Sequence, residues 1–238
     1  MAHLRGRYDG RMGLRAGQVV LCFAVLAGCA SPGLYSTART TPQGAWSGTV
    51  AAEVSVLQYR NPNDNRLRSH NAIVPPTLEF RYGVTDDIDV AIRAPHLMTL
   101  GGDAKWNFFK SEYVDVAVAG RAIFWYPGML HAIVPVIFDL NLSESITVVA
   151  HGGGGLAIGS TDREIRINQS VLIYAGALAD AGLGINIKLT DATALHVEGA
   201  CLFSVPSDDA KLCAVGVALN YQDVSFDRPG RAPGPPSM

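Results

Sequence analysis

Five side chains in the second half of the sequence could do acid–base or metal chemistry: His151, His196, Asp139, Asp180 and Glu198. Imidazoles and carboxylates bind divalent metals and move protons, but a ligand set needs at least three groups in convergent positions. The sequence has no His-x-x-x-His spacing or similar local signature of such a set. We therefore predict hydrogen-bonded structural roles for all five, with a catalytic or metal role as the alternative. No metal, cofactor or catalytic residue is assigned.

His151 is followed by four glycines at positions 152–155, a segment that resembles the oxyanion-hole segment of lipases and esterases. Those enzymes also need a Gly-x-Ser-x-Gly elbow at a strand-to-helix turn, and that motif is absent from the sequence. A phosphate-binding glycine loop is equally poorly supported, because no helix start follows. The glycines instead indicate a bent or closely packed strand, or one that makes room for bulky neighbours. The protein is not expected to be an enzyme.

The first thirty residues carry four arginines and then a short apolar run at residues 19–27. This order is typical of a cleaved secretory signal, and the run is too short to span a bilayer. It ends in Leu26-Ala27-Gly28-Cys29, which resembles the signal of bacterial lipoproteins. That resemblance implies cleavage after residue 28, acylation of Cys29 and, because Ala30 follows, transfer to an outer membrane. An ordinary signal with a chance cysteine is the alternative.

Composition narrows the partners. Charged residues make up only 17% of the chain and 48% of it is hydrophobic, which excludes a disordered protein. Removal of residues 1–28 takes four basic and one acidic residue from totals of 19 and 21, so the mature chain is acidic, at about −5. An acidic chain lacks the basic patch that a nucleic-acid partner requires. Residues 29–44 are expected to form a periplasmic linker behind the lipid.

The two remaining cysteines of the mature chain are Cys201 and Cys213. They lie opposite each other if a hairpin is centred on Ser207, and export to an oxidising compartment then permits a disulfide. Such a bond would pin the loop at residues 205–211. Two free thiols packed as small hydrophobic groups are the alternative.

Between residues 45 and 221 apolar side chains recur at every second position, with turn residues at intervals, which predicts β-strands. An alanine-rich helix is the competing interpretation for residues 171–187, but three glycines there would each weaken a helix by up to about 1 kcal/mol. Short turns at residues 85–87, 110–112, 143–145 and 190–192 alternate with mostly longer connections, notably 61–71 and 159–169. The predicted strands are 46–59, 72–84, 88–97, 102–109, 113–126, 131–142, 146–158, 170–188, 193–204 and 211–222.

Charged residues fall repeatedly on the strand face opposite the apolar one. A soluble barrel would be apolar inside and polar outside, whereas here Val, Ile, Leu and Phe occupy one face and charges of both signs share the other with Gly and Ala. Charges in a narrow lumen are tolerated only when they are paired. The predicted lumen network, beside Glu53, is Glu79, Arg81, Asp89, Arg93, Lys105, Asp115, Arg121, Asp139, His151, Asp180, His196 and Glu198.

These features together resemble the bacterial outer-membrane β-barrels, especially small lipid-anchored ones. The resemblance is carried by the segment 37–44 before the first strand, the turn at residues 82–90, and the alternation from Cys213 to the terminal aromatic Tyr221. It implies an up-and-down antiparallel transmembrane barrel over residues 45–222, with about ten strands. The Pro-rich tail at residues 223–238 is expected to be disordered. Candidate interface aromatics are Tyr82, Trp106, Phe124, Trp125, Tyr126, Tyr174, Phe203 and Tyr221.

Two classes of function remain for such a barrel. A narrow pore or transporter would pass a small solute through the charged lumen, and membrane lipid would be its other partner. An interaction barrel would instead present the loops at residues 61–71 and 159–169. A soluble lipocalin-like ligand-binding protein is a further alternative, because Gly44-Ala45-Trp46 resembles the Gly-x-Trp signature of lipocalins. The sequence carries no signal for an oligomeric state.

Overall fold

The structure is a computed structural model that describes residues 33–60, 66–96, 99–125, 129–159, 176–205 and 210–222. Cys29, the signal, the loop at residues 160–175 and the C-terminal tail lie outside the described residues. In the described part, no helix has the length and hydropathy needed to cross a membrane.

The described chain forms a closed barrel of ten antiparallel strands. Each strand pairs with its neighbours in sequence, and β1 closes the barrel against β10. This confirms the predicted fold class and strand count. The strands are β1 Trp46–Arg60, β2 Leu67–Gly83, β3 Ile88–His96, β4 Thr99–Lys110, β5 Val114–Trp125, β6 Met129–Asn141, β7 Ile146–Gly159, β8 Gly176–Lys188, β9 Thr193–Val205 and β10 Ala210–Gln222.

β2 is the strand whose observed length differs most from its prediction, because it begins at Leu67 rather than at residue 72. Residues 67–71 show no apolar alternation, and Arg68 and Ser69 are exposed. Further along β2, Pro75 and Pro76 lie where the register with β1 shifts between Ala51 and Glu53. Proline has no N–H to donate to a ladder, so it is tolerated at such a bulge.

Four tight turns at one end of the barrel share a single design. Each begins with Ser or Thr, followed by an acidic residue, and in each the first hydroxyl accepts a backbone N–H two or three residues on. Such hydroxyl-to-backbone bonds stabilise tight turns. We call this end, which also holds the start of β1 and the end of β10, the turn end. The four hydroxyl residues are Thr85, Ser111, Ser143 and Thr190.

The two faces of each strand differ as predicted. In β5 the side chains of Asp115 and Arg121 are buried in the barrel, whereas the alternating Phe124 is half exposed on the outside. In β8 Asp180 is buried and Leu183 is exposed on the opposite face. An apolar outer face around a polar interior is the arrangement of a membrane-spanning barrel, and the reverse of the lipocalin-like alternative.

Aromatic side chains gather at the turn end. Trp46 stacks on Tyr82 with ring centroids 4.7 Å apart, and Trp106 contacts Phe108 at 5.6 Å. Tyr221 is exposed at the same end, whereas Phe124 and Phe203 lie near the other end. Tyr126 and Tyr174, and the side chain of Trp125, are outside the described residues. The described rings therefore fit interface girdles at both ends of the barrel.

Candidate functional site

The N-terminal segment at residues 33–41 lies inside the barrel, and we call it the plug. Leu34, Tyr35 and Ala38 are buried to 3% exposure or less. The expected linker at residues 29–44 is thus, over its described part, not a chain hanging beside the barrel. Its sequence has no strand or helix periodicity, and its burial depends on hydrogen bonds from the lumen wall.

The plug enters the lumen at the turn end, across Gly83 of β2. Gly44 N donates to Gly83 O at 2.8 Å, and Gly83 N donates to Ala45 O at 3.1 Å. A Cβ atom at position 83 would lie 2.0 Å from the carbonyl oxygen of Pro42. Only glycine therefore lets the chain cross the rim so closely.

Carboxylates of the wall accept the backbone N–H groups of the plug. Glu198 takes two of them, from Leu34 to Oε1 at 2.6 Å and from Tyr35 to Oε2 at 2.8 Å. Asp139 Oδ2 accepts from Ala38 N at 2.8 Å, and Asp89 Oδ2 accepts from Thr41 N at 2.9 Å. Residues 35, 38 and 41 thus meet carboxylates on β9, β6 and β3 at intervals of three residues. Hydrogen bonds to ionised groups are stronger than neutral ones, so they compensate for burial of the plug.

Cations of the wall donate to the carbonyl oxygens of the plug. Lys105 Nζ lies 2.8 Å from Thr37 O and 2.7 Å from Arg39 O, and it also donates to the Ser36 hydroxyl at 3.1 Å. Arg93 Nη2 donates to Gly33 O at 3.1 Å. The lumen therefore reads both halves of the peptide unit, N–H and C=O, in one extended stretch of chain.

Two plug side chains add contacts of their own. The Tyr35 hydroxyl donates to Glu53 Oε2 at 2.7 Å, and Arg39 Nε pairs with Asp115 Oδ2 at 2.8 Å. Gly216 of β10 makes room for the tyrosine, because a Cβ there would lie 2.0 Å from the Tyr35 hydroxyl oxygen. Tyr35 adopts a positive φ of 49°, which is uncommon for a residue with a side chain. The surrounding contacts hold it in that conformation.

One side of the lumen, formed by β2, β3 and β4, carries a group that we call the salt-bridge wall. Arg81 contacts Glu79 at 2.9 Å, Asp103 at 2.8 Å and Asp89. Its members are Glu79, Arg81, Asp89, Arg93, Asp103 and Lys105, and Arg93 and Lys105 lie 3.5 Å from Glu79 and Asp89, respectively. Each charge in this wall has an opposite charge from the wall itself.

The opposite side, formed by β7, β8 and β9, carries the histidine wall: His151, Asp180, His196 and Glu198. His151 Nδ1 lies 3.3 Å from Asp180 Oδ2 and its Nε2 lies 3.1 Å from Glu198 Oε1. His196 Nε2 lies 3.1 Å from Glu198 Oε2. Both ring nitrogens of His151 thus face carboxylates rather than a nucleophile. In the described chain, no cluster of His, Cys, Asp or Glu has metal-binding geometry.

Glycines shape the histidine wall, but not the four that the sequence emphasised. A Cβ at Gly182 would lie 2.1 Å from His151 Nε2, and one at Gly184 would lie 2.8 Å from His196 Nε2. In the run 152–155, a Cβ at Gly153 or Gly155 would collide with the backbone of β6. The run therefore serves close strand packing, and the β8 glycines make room for the imidazoles.

The twelve residues of the predicted lumen network are all buried, at 6% exposure or less. The structure separates them into the two walls plus Asp115, Arg121 and Asp139, of which Asp139 is not part of the histidine cluster. Sequence reasoning missed Asp103 and His131, which are also buried. The strand parity of Lys105 could have identified Asp103, two residues earlier. The plug itself was missed because its contacts are mainly made by backbone atoms.

Beside the plug, a cavity of about 300 Å³ opens at the turn end. Hydroxyl and amide side chains line much of it, with the plug forming one side. The lining includes Ser47, Thr49, Thr147, Asn186 and Asn220. The cavity is polar and joins the turn end to the plug, so removal of the plug would extend it into the lumen.

A disulfide joins Cys201 and Cys213, which are directly paired in the β9–β10 ladder with Cα atoms 4.0 Å apart. Their neighbours Leu202 and Leu212 point into the barrel and are buried, so the disulfide lies on the outer face. It ties the strands that flank residues 206–209 and contributes nothing to the lumen. The second half of the predicted interaction loop 61–71 is part of β2, and residues 61–65 and 160–169 lie outside the described residues.

No protein-family model matches the sequence, and the search of curated proteins gave no match. Solved membrane barrels are similar in fold. An outer membrane channel from Pseudomonas putida F1 is 11% identical, with 82% of this chain and 100% of that chain covered and a TM-score of 0.48. The translocator domain of the autotransporter NalP from Neisseria meningitidis is 8% identical, with 88% and 95% covered and a TM-score of 0.47. The attachment invasion locus protein Ail of Yersinia pestis is 12% identical, with 76% and 99% covered and a TM-score of 0.37. These similarities concern the fold alone.

Proposed function

We propose that this protein is a narrow outer-membrane channel for a small solute, held closed by its own N-terminal plug. The observation that carries the proposal is the seat of the plug, which fills the lumen through hydrogen bonds to Glu198, Asp139, Asp89 and Lys105. These contacts are non-covalent and can be exchanged for contacts with water or a solute. A ten-stranded barrel is little wider than its own side chains, so a single extended segment is enough to close it.

The two faces of the barrel support both parts of the proposal. The apolar outer face with aromatic ends suits a bilayer, and the export signal suggests the outer membrane. The polar inner face supplies a path in which charged groups remain hydrated once the plug leaves. A purely structural barrel would not need a lumen that binds main-chain N–H and C=O groups along its length.

Single-channel recording in planar bilayers tests the proposal. Gly216→Val should unseat Tyr35, because position 216 has no room for a side chain beside the tyrosine hydroxyl. We expect the wild type to be closed most of the time and Gly216→Val to conduct persistently. Gly120→Val is the matched control, because a Cβ at Gly120 meets no atom within 4 Å, and it should behave as the wild type.

A second variant keeps the test decisive if Gly216→Val does not fold. Tyr35→Ala removes the bond to Glu53 from the plug side and leaves the barrel wall unchanged. Folding is checked by the shift in gel mobility on heating. A folded variant of either kind that stays as closed as the wild type would overturn the proposal.

We further propose that Cys29 carries the lipid anchor. Four residues lie between Gly33 of the plug and that cysteine, a span of at most about 14 Å, so the anchor and the plug would be mechanically close. A Cys29→Ser variant exported through an ordinary signal should lose its acyl chains yet remain in the outer membrane, because the barrel itself spans the bilayer. Its recovery as a soluble periplasmic protein would contradict the membrane barrel.

A further inference from the structure

We propose that the lumen binds a short basic peptide in extended form, in the place that the plug occupies. This inference rests on the proposed function, since the plug must leave before the peptide can enter. It assigns the solute class of the channel: a peptide whose main chain is recognised by the wall and which carries positive charge.

The contacts of the plug show that the wall recognises main-chain groups of both kinds. Four backbone N–H groups, those of Leu34, Tyr35, Ala38 and Thr41, donate to carboxylates, and the carbonyl groups of Gly33, Thr37 and Arg39 accept from Arg93 and Lys105. Each of these groups is present in any peptide, whatever its side chains. The site is therefore complementary to an extended peptide rather than to one particular sequence.

The charge of the wall selects a basic peptide. Among the described residues, the barrel interior buries eight carboxylates and four Lys or Arg side chains, an excess of four negative charges with histidine neutral. The plug meets part of this excess with Arg39, which pairs with Asp115. When the plug leaves, Glu198 loses two donors, and Asp139 and Asp115 lose one each. A replacement ligand with positive charge restores these interactions, and an anionic one is repelled.

Buried groups that the plug does not satisfy point to the same class of ligand. Asp139 Oδ1 and Asp180 Oδ1 have no hydrogen-bond partner, and the two residues are 1% and 6% exposed. Arg121 Nε and Nη2 also have none. The lumen thus offers both acceptors and donors beyond those that the plug uses. A polyamine supplies only N–H donors, whereas a peptide supplies donors and carbonyl acceptors together.

Block of ion current by added peptide is the direct test. The protein used is a variant that lacks residues 33–41, with Gly216→Val as a second open form, each first shown to be folded by heat-dependent gel mobility. The probe is the synthetic peptide Gly-Leu-Tyr-Ser-Thr-Ala-Arg-Thr-Thr, which repeats residues 33–41. We expect dose-dependent block, weakened roughly tenfold when Glu replaces Arg in the peptide or when the barrel carries Glu198→Gln, since each change removes a charge-assisted contact.

N-methylated peptides separate main-chain recognition from simple charge attraction. A methyl group on the nitrogen that corresponds to Ala38 removes the donor to Asp139 and should weaken block roughly tenfold. The same group at the position of Thr40, whose described contact is made by its hydroxyl to Asp86 O, is the control and should have a smaller effect. Equal effects at the two positions, or block by spermidine as strong as by the peptide, would overturn the inference.

The two proposals can fail separately. Conductance without peptide block leaves the channel intact and removes the peptide. Peptide binding to the detergent-solubilised open variant, measured by fluorescence anisotropy, combined with no conductance, removes the channel and leaves the peptide site. Absence of binding by both methods in a folded open variant removes the peptide site.

Discussion

The salt-bridge wall and the histidine wall face each other across the lumen, but they depend on the plug to different degrees. Arg81 has three carboxylate partners inside its own wall, and Arg93 and Lys105 each have one. Glu198 has two imidazole partners in its wall and takes two more hydrogen bonds from the plug. The salt-bridge wall is therefore expected to hold the barrel together, and the histidine wall to hold the plug.

The largest expected effect is on the stability of the salt-bridge wall. Arg81→Met leaves Glu79, Asp89 and Asp103 buried without their shared cation, and breaking a buried pair in this way costs about 3–5 kcal/mol. Urea unfolding followed by tryptophan fluorescence measures the loss. Lys110→Met is the matched control, because Lys110 pairs with Asp87 in an exposed position and should change stability by less than about 1 kcal/mol. Equal losses in the two variants would mean that the buried wall has no special role.

A pair of isosteric changes compares the walls directly. Glu198→Gln weakens the two hydrogen bonds to the plug, and we expect the open probability of the channel to rise roughly tenfold, which corresponds to about 1.4 kcal/mol. Asp103→Asn removes the same charge from the salt-bridge wall, where no plug atom is bound, and should lower the free energy of unfolding without opening the channel. Single-channel recording and urea unfolding on both variants provide the comparison. If Asp103→Asn opens the channel as much as Glu198→Gln does, the walls are not distinct.

The smallest effect is expected outside the lumen, at the exposed pair of Lys188 and Asp191, whose charged atoms are 2.7 Å apart. The hydrogen bond and charge of Lys188 lower the pKa of Asp191. A lowered carboxyl pKa stabilises the folded state above the ordinary carboxyl range, and that contribution is lost as the pH falls through the lowered value. Because the pair is fully solvated, we expect Asp191→Asn to leave the urea midpoint unchanged at pH 7 and at pH 3. A shift at pH 7 that disappears at pH 3 would show that exposed charges at the turns also stabilise this barrel.

The barrel could be predicted from the sequence because alternation leaves a direct trace in the side chains. Asp115 and Arg121 alternate with Val116 and Phe124 in β5, and the bilayer and the lumen impose opposite requirements on neighbouring residues. Strand ends beyond the apolar band, such as residues 67–71 of β2, have no such requirement, so the start of that strand could not be located. The Ser or Thr that opens each tight turn is a further signal, readable in hindsight from its acidic neighbour.

The site was only partly predictable, for a physical reason. The lumen charges follow from strand parity, but which of them pair depends on register and on strand neighbours far apart in sequence, as with Glu198 and His151. The plug could not be predicted at all. Residues 33–41 interact mostly through N–H and C=O groups that every residue has, so their side chains carry little record of where the segment binds.

The short connection of residues 42–45 between the plug and β1 has a consequence for competition. A ligand joined to its site by so short a tether acts as if it were present at a local concentration in about the millimolar range. A free peptide of equal intrinsic affinity would need a similar concentration to displace it, and at micromolar levels it would occupy the lumen of only a small fraction of molecules. The intact protein therefore behaves as a threshold device, indifferent to dilute solute and responsive only to a concentrated one or to a force that lowers the local concentration of the plug.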